Sequence, residues 1–315
     1  MPRKHPIVAV TGSSGVGLSS VRHAFNGIFR RLKINAAMVH GGAFRRYTES
    51  EFSERLEAAR ASGRSFSWFG PECNQFAELE TFFKAYSETG AGMVREYAND
   101  AELAATLGVS TGEFTSWHPL PPNSDLLFYE GQHGGVVAQT WTRRKVDTRH
   151  FPLGFDRRVN VKGVDVAQYV DLLIGVVPAI NLEWIQKIHR DCSDGLCTLE
   201  DTVEIILRRM DDYIRYIVPQ FGVTDINIQR IPLVDTSNPF IARDVPTESE
   251  CAFVVDFRDA TRHDFINLLR RIPGAKMTRS TTMLIPGGTL GLALYEICAP
   301  LLAGLVESRV GIREP

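Results

Sequence analysis

The chain has 315 residues, 44% of them hydrophobic and 23% charged, with a formal net charge of -2. This is the composition of an ordinary globular protein, long enough for one large α/β core, and its even charge gives no overall attraction to nucleic acid or to an anionic membrane. The five cysteines are scattered, odd in number and without metal-ligand spacing, so they are expected to be reduced thiols.

The six residues before the first apolar run leave no room for a signal peptide, and no run is expected to be long enough to cross a bilayer. The expected location is cytoplasmic. Ile7 to Val10 reads as a buried strand that enters a glycine-rich turn, Thr11 to Gly17, and then a helix from Ser20 to Lys33. In such a turn, successive backbone N–H groups face inward around an anion and the helix dipole adds to their field. The spacing of Gly12, Gly17 and Ser19 fits a phosphate loop except at one position, where Leu18 stands in place of the lysine. Gly12, Ser13, Ser14, Gly15, Gly17, Ser19 and Ser20 are the candidate nucleotide-binding residues, with Ser19 as a Mg²⁺ ligand. The other reading is an ordinary glycine turn between strand and helix.

Ile34 to Val39 is a second strand, ending at His40-Gly41-Gly42-Ala43-Phe44-Arg45-Arg46-Tyr47 on the edge where open α/β sheets place ligands. Helices are expected at 50–61 and 72–86, with the aromatic loop Phe66, Trp68, Phe69 and Pro71 between them. Gly92 to Tyr97 reads as a strand and Gly108 to Asn123 as a loop or lid. Asp125 to Gly131 is an apolar strand closing on Glu130, either a second ligand for Mg²⁺ or a solvated strand-end acid. Residues 141–163 are rich in Arg and Lys without a steady period, and read as a surface insertion, either an interaction site or a solvated loop.

Val170 to Val177 is another buried strand. In the helix after it, Lys187, Arg190 and Asp191 share one side, suited to a transferring phosphoryl group or to a surface salt-bridge ladder. A helix at 198–217, strands at 226–234, 251–257 and 277–286, and an apolar helix from Leu290 to Val306 complete the chain. Alternating β and α elements predict one α/β domain over 1–315, a mostly parallel sheet covered on both faces, with later strands antiparallel.

Four segments together resemble the bacterial phosphoribulokinases of the P-loop kinase superfamily, which phosphorylate ribulose 5-phosphate with ATP and Mg²⁺. They are Val10 to Gly15; Leu127 to Gly131 with His133-Gly134; Asn181 to Asp191; and Asp235 to Arg243. The resemblance implies that Ser19 and Glu130 serve the nucleotide-bound Mg²⁺. Lys187, Arg190 and Asp191 would be catalytic, and Arg45, Arg46 and His133 would face the sugar phosphate. Arg31, Arg243 and Arg258 match an effector site for NADH between subunits of a homo-octamer. Against this pattern stand Gly42, where the family has its acidic general base, Glu49 and Gly195, where it has arginines, and Leu18. These departures raise two alternatives: a catalytically impaired paralogue acting as a regulatory or assembly subunit, or a kinase for a different sugar acceptor.

Overall fold

The computed structural model describes residues 4–12, 18–135, 164–177, 179–192, 198–241 and 244–313, with backbone alone at 18–20 and 310–313. An eight-stranded sheet forms the centre, in the order β2-β5-β1-β6-β7-β8-β10-β9. Its parallel half comprises β1 (Ile7–Gly12), β2 (Ala36–His40), β5 (Leu126–Gly131), β6 (Leu172–Val177) and β7 (Ile226–Pro232). β8 (Cys251–Phe257), β9 (Lys276–Arg279) and β10 (Thr282–Pro286) are antiparallel. The expected α/β sheet is therefore present, with its earlier strands parallel and β8, β9 and β10 antiparallel.

Alternation along the strands divides the core. Val8, Val10, Leu126 and Phe128 point to one face, where Val21, Phe25, Ile28 and Phe29 of α1 (Leu18–Leu32) cover them. Ile7, Ala9, Leu127 and Tyr129 point to the other, under Phe76, Leu79, Phe83 and Tyr86 of α3 (Phe76–Thr89). Aromatic rings key both layers, Phe25 on Phe128 at 4.9 Å and Phe83 on Tyr129 at 5.3 Å between centroids. Truncating either central ring to alanine costs about 3–5 kcal/mol.

α2 (Glu49–Ala61) starts with a complete capping box, Thr48 with Glu51, and α4 (Ala101–Leu107) starts on Asp100. α5 (Ile180–Cys192) follows β6, and α6 (Leu199–Asp212) runs through a π-helical turn, Tyr213–Ile217, into the short α7 (Val218–Phe221). α8 (Phe265–Arg271) and α9 (Leu290–Arg313) finish the chain.

Several expectations need correction. The strand expected over 92–97 shrinks to β3 (Met93–Val94), paired with β4 (His118–Pro119); beyond it the ladder breaks to an isolated bridge of Tyr97 with Phe114. The run at 277–286 is not one strand but the hairpin β9–β10. α4 and α8 were not anticipated: at seven residues each they carry too little periodicity. α9 is, by length and composition, apolar enough to cross a membrane, contrary to expectation. Its Ala293, Leu294, Ile297, Cys298 and Leu302 are buried in the core beside α1, and Glu296 pairs with Arg271 at 2.9 Å, so its apolar face serves packing.

Candidate active site

Strand register puts the functional ends together. Thr11 lies beside Gly131, His40 beside Glu130 and Gly12 beside Val176, so the segments following β1, β2, β5 and β6 leave from one carboxyl edge. Gly41 and Gly131 make this edge tight: a Cβ on Gly41 would fall 3.0 Å from Gly131 Cα, and one on Gly131 would fall 2.8 Å from Gly41 Cα. Only glycine fits at either place.

Glu130 is 5% exposed, and its Oε2 makes no hydrogen bond; the nearest positive group is Arg22 Nε, 3.3 Å away. Burial raises its pKa to about 7, partly opposed by the Arg22 charge. A desolvated carboxylate oxygen that accepts no hydrogen bond and has only an ion-pair partner can take a further or replacement cation. A hard divalent ion such as Mg²⁺ fits this oxygen. Glu130 lines a cleft of about 880 Å³ together with Arg22, His40, Arg95, Tyr97 and residues of α4.

On the neighbouring turn, His40 Nδ1 accepts a hydrogen bond from Gly42 N–H at 3.1 Å. His40 opens on the cleft, yet desolvation by the surrounding protein, with the charges of Arg45 and Arg22, lowers its pKa to about 4 and keeps the imidazole neutral. A Cβ on Gly42 would meet that ring at 2.9 Å and Tyr97 Cβ at 3.3 Å. The place where a side chain at 42 would start is filled by histidine. Arg45 lies between Trp68 and Tyr97, its guanidinium carbon 4.4 Å from each ring centroid, and the Tyr97 hydroxyl donates to Glu49 Oε2 at 2.9 Å. Burial raises the Tyr97 pKa to about 12. Arg95 braces the same turn by donating to the carbonyls of Ala43 and Arg45 at 3.1 and 2.8 Å. Arg46 instead donates to the backbone carbonyls of Glu72 and Asn74 at 3.2 Å each. His133 is buried against Phe76, with neither ring nitrogen hydrogen-bonded, and burial lowers its pKa to about 4.

Lys187 and Arg190 are brought together with Asp191, which binds Lys187 Nζ through Oδ2 and Arg190 Nε, at 3.3 Å, through Oδ1. With both oxygens engaged, Asp191 is placed as their counter-ion. Burial and the nearby Arg209 lower the Lys187 pKa, while Asp191 opposes the shift. Lys187 and Arg209 line a second, smaller cavity with Phe69, Glu183, Trp184 and Tyr213.

Gln220 was not singled out from sequence, yet its fully buried carboxamide ties this edge together. Its Oε1 accepts from Thr11 Oγ1 at 2.7 Å and Gly135 N at 3.2 Å; its Nε2 donates to the carbonyls of Gln132 at 2.6 Å and Tyr216 at 3.1 Å. It thereby joins the end of β1, the segment after Glu130 and the π-helical turn. The only sequence signal was an amide in an apolar run. His40, Tyr97 and Arg22 were missed as site residues because their roles depend on contacts across strands and helices.

Arg31, in the last turn of α1, stacks over Tyr295 at 5.0 Å, and the Arg258 guanidinium donates to the Gly222 carbonyl. Phe257 pairs with Ile226, the first residue of β7, so Arg258 lies at the amino edge of the parallel strands, opposite Glu130. Ser13, Ser14, Gly15, Gly17, Gly195, Arg243 and the basic stretch 141–163 lie outside the described residues; Ser19 and Ser20 are placed by backbone in the first turn of α1.

Residues 7–237 match the family described as phosphoribulokinase / uridine kinase. A phosphoribulokinase of Nitrobacter vulgaris is 47% identical over 310 residues, covering 98% of this chain and 99% of that protein. The chromosomal phosphoribulokinase of Cupriavidus necator is 44% identical, covering 98% of each. Among solved structures, the phosphoribulokinase from Rhodobacter spheroides superposes with a TM-score of 0.83 at 43% identity, over 98% of this chain and 99% of that one.

Proposed function

The chain belongs to the phosphoribulokinase / uridine kinase family, and from that premise we propose that it transfers the γ-phosphoryl group of ATP to ribulose 5-phosphate, giving the 1,5-bisphosphate of the Calvin cycle. The observation that carries this reading is likeness along the whole chain to phosphoribulokinases, in sequence and in fold. ATP lies along Gly12 to Ser20, and Ser19 and Glu130 hold Mg²⁺. A divalent ion at that point neutralises charge on the β- and γ-phosphates. Lys187 and Arg190 add positive charge around the transferring group, and Arg45, held flat between two rings, presents its N–H fork to the sugar phosphate. The resemblance assigns Arg46 and His133 to the acceptor as well; in the ligand-free structure Arg46 is held on two backbone carbonyls and His133 is buried against Phe76. Phosphoryl transfer through a loose transition state depends more on positioning and charge than on a strong base, which leaves room for a site with glycine at 42. By the same resemblance, NADH binds at Arg31, Arg243 and Arg258 in a homo-oligomer of cytoplasmic location.

The His40 ring over Gly42 favours a second reading, a catalytically silent paralogue that keeps the fold as a regulatory or assembly subunit. ADP release with Mg·ATP and ribulose 5-phosphate, with and without NADH, decides between the two. Acceptor-dependent turnover establishes the kinase. Silence in the natural chain, with activity in a His40→Ala, Gly42→Asp, Glu49→Arg variant, establishes the retired scaffold. Turnover only with other sugars or sugar phosphates identifies a different acceptor.

A further inference from the structure

The phosphate turn of this chain lacks its lysine: position 18 is leucine. A triphosphate bound there would still need a cation close to its β- and γ-oxygens. Arg22 stands one helical turn further along α1. Helical side chains lean toward the N-terminus, and an arginine reaches about one 5.4 Å turn, so the guanidinium of residue 22 comes level with residue 18. Its observed position agrees: Nε is 3.3 Å from Glu130 Oε2, at the end of the strand whose register partner in β1 is Val10, two residues before Gly12.

Among the described residues, Arg22 and Arg95 are the arginines that line the Glu130 cleft. Arg95 donates to two backbone carbonyls and packs on the Phe114 ring at 3.6 Å. Arg45 is held between Trp68 and Tyr97 and Arg46 on two carbonyls, while Lys187 and Arg190 share Asp191 on the helix after β6, outside this cleft. Arg22 is half exposed to the cleft, and its partner is the acid that a divalent ion would claim.

We propose that Arg22 is the cation of the triphosphate site, taking from the helix interior the role that Leu18 leaves vacant. In the ligand-free protein its guanidinium neutralises Glu130. When Mg·ATP binds, Glu130 exchanges that partner for the metal, and Arg22 turns to the phosphate oxygens. The exchange keeps the buried carboxylate paired in both states.

This inference rests on the kinase reading only in taking ATP as the ligand, so its test measures binding rather than turnover. Calorimetric titration of the full chain with ATP and with AMP, both with Mg²⁺, compares the natural protein with Arg22→Gln, Arg22→Lys and Leu18→Lys/Arg22→Gln. Loss of a charge-assisted contact predicts about 10- to 100-fold weaker ATP binding for Arg22→Gln, with AMP affinity held within about twofold. Arg22→Lys retains part of the affinity, and lysine at 18 restores most of it in the Arg22→Gln background. Unchanged ATP affinity in Arg22→Gln overturns the proposal, as do equal losses for ATP and AMP, no rescue by lysine at 18, or no ATP binding by the natural chain. A chain that binds ATP with this pattern but turns over no acceptor keeps the Arg22 assignment and loses the kinase.

Discussion

The two halves of the carboxyl edge are built differently. On the half proposed to hold the nucleotide, Glu130 ends β5 without a hydrogen bond to Oε2, and Gln220 fills all four of its hydrogen-bonding positions to hold the surrounding segments. On the acceptor half, the turn after β2 is closed on itself: His40 occupies the space over Gly42, Tyr97 engages Glu49, and two rings enclose Arg45. One half holds a buried carboxylate whose partner is a half-exposed arginine across 3.3 Å; the other satisfies most of its own groups by hydrogen bonds and ring contacts.

The largest effect that tests this contrast is at Glu130. Glu130→Gln removes the metal-directed charge and is expected to cut ADP release by about 10³-fold at saturating Mg·ATP. The same change should stabilise the ligand-free protein. The Glu130 pKa is raised from 4.5 to about 7 in the folded chain, so the native state binds this proton more tightly than the unfolded state. The group therefore costs no stability below the unfolded value, and an increasing amount as pH rises toward 7. Melting temperatures of Glu130→Gln and the natural protein should coincide near pH 4.5 and diverge in favour of the variant by pH 8. Equal melting at pH 8 breaks the picture of a desolvated carboxylate.

Arg45→Ala comes next, with KM for the sugar phosphate raised about 10- to 100-fold and KM for ATP unmoved, read from initial rates with each substrate varied. A matching rise for both substrates would assign Arg45 to the scaffold rather than to the acceptor. Gly42→Asp alone must displace the His40 ring and is expected to cost about 1–3 kcal/mol by urea unfolding, most of which His40→Ala returns. Strict additivity of the two changes would mean that the ring and position 42 are not coupled. The smallest effect is Tyr97→Phe, about 1 kcal/mol for a half-buried hydrogen bond, with Glu49→Gln adding little on top of it.

Legibility followed the range of the interactions. The apolar strand from Ile7, those ending at Glu130 and Val177, and the helices 50–61 and 290–306 could be read because each is specified by neighbours within a few residues. Lys187, Arg190 and Asp191 were read together for the same reason, since helix geometry alone brings them onto one side. The pairing of Tyr97 with Glu49 spans 48 residues and that of Thr11 with Gln220 spans 209, and no local pattern encodes either.

The sequence by itself determined the alternation of strand and helix, the residues at the ends of the parallel strands, and the chemical departures at Leu18, Gly42 and Glu49. Periodicity, glycine spacing and residue type are local properties, and local sterics and burial act on them directly. Only the tertiary structure decided which groups face each other across the edge. It set Arg22 on Glu130, His40 over Gly42, and Gln220 between β1 and the π-helical turn. Those contacts follow from how strands pair and helices pack, and there a neutral imidazole, a buried ion-paired carboxylate or a saturated carboxamide takes its character from partners far away in the chain.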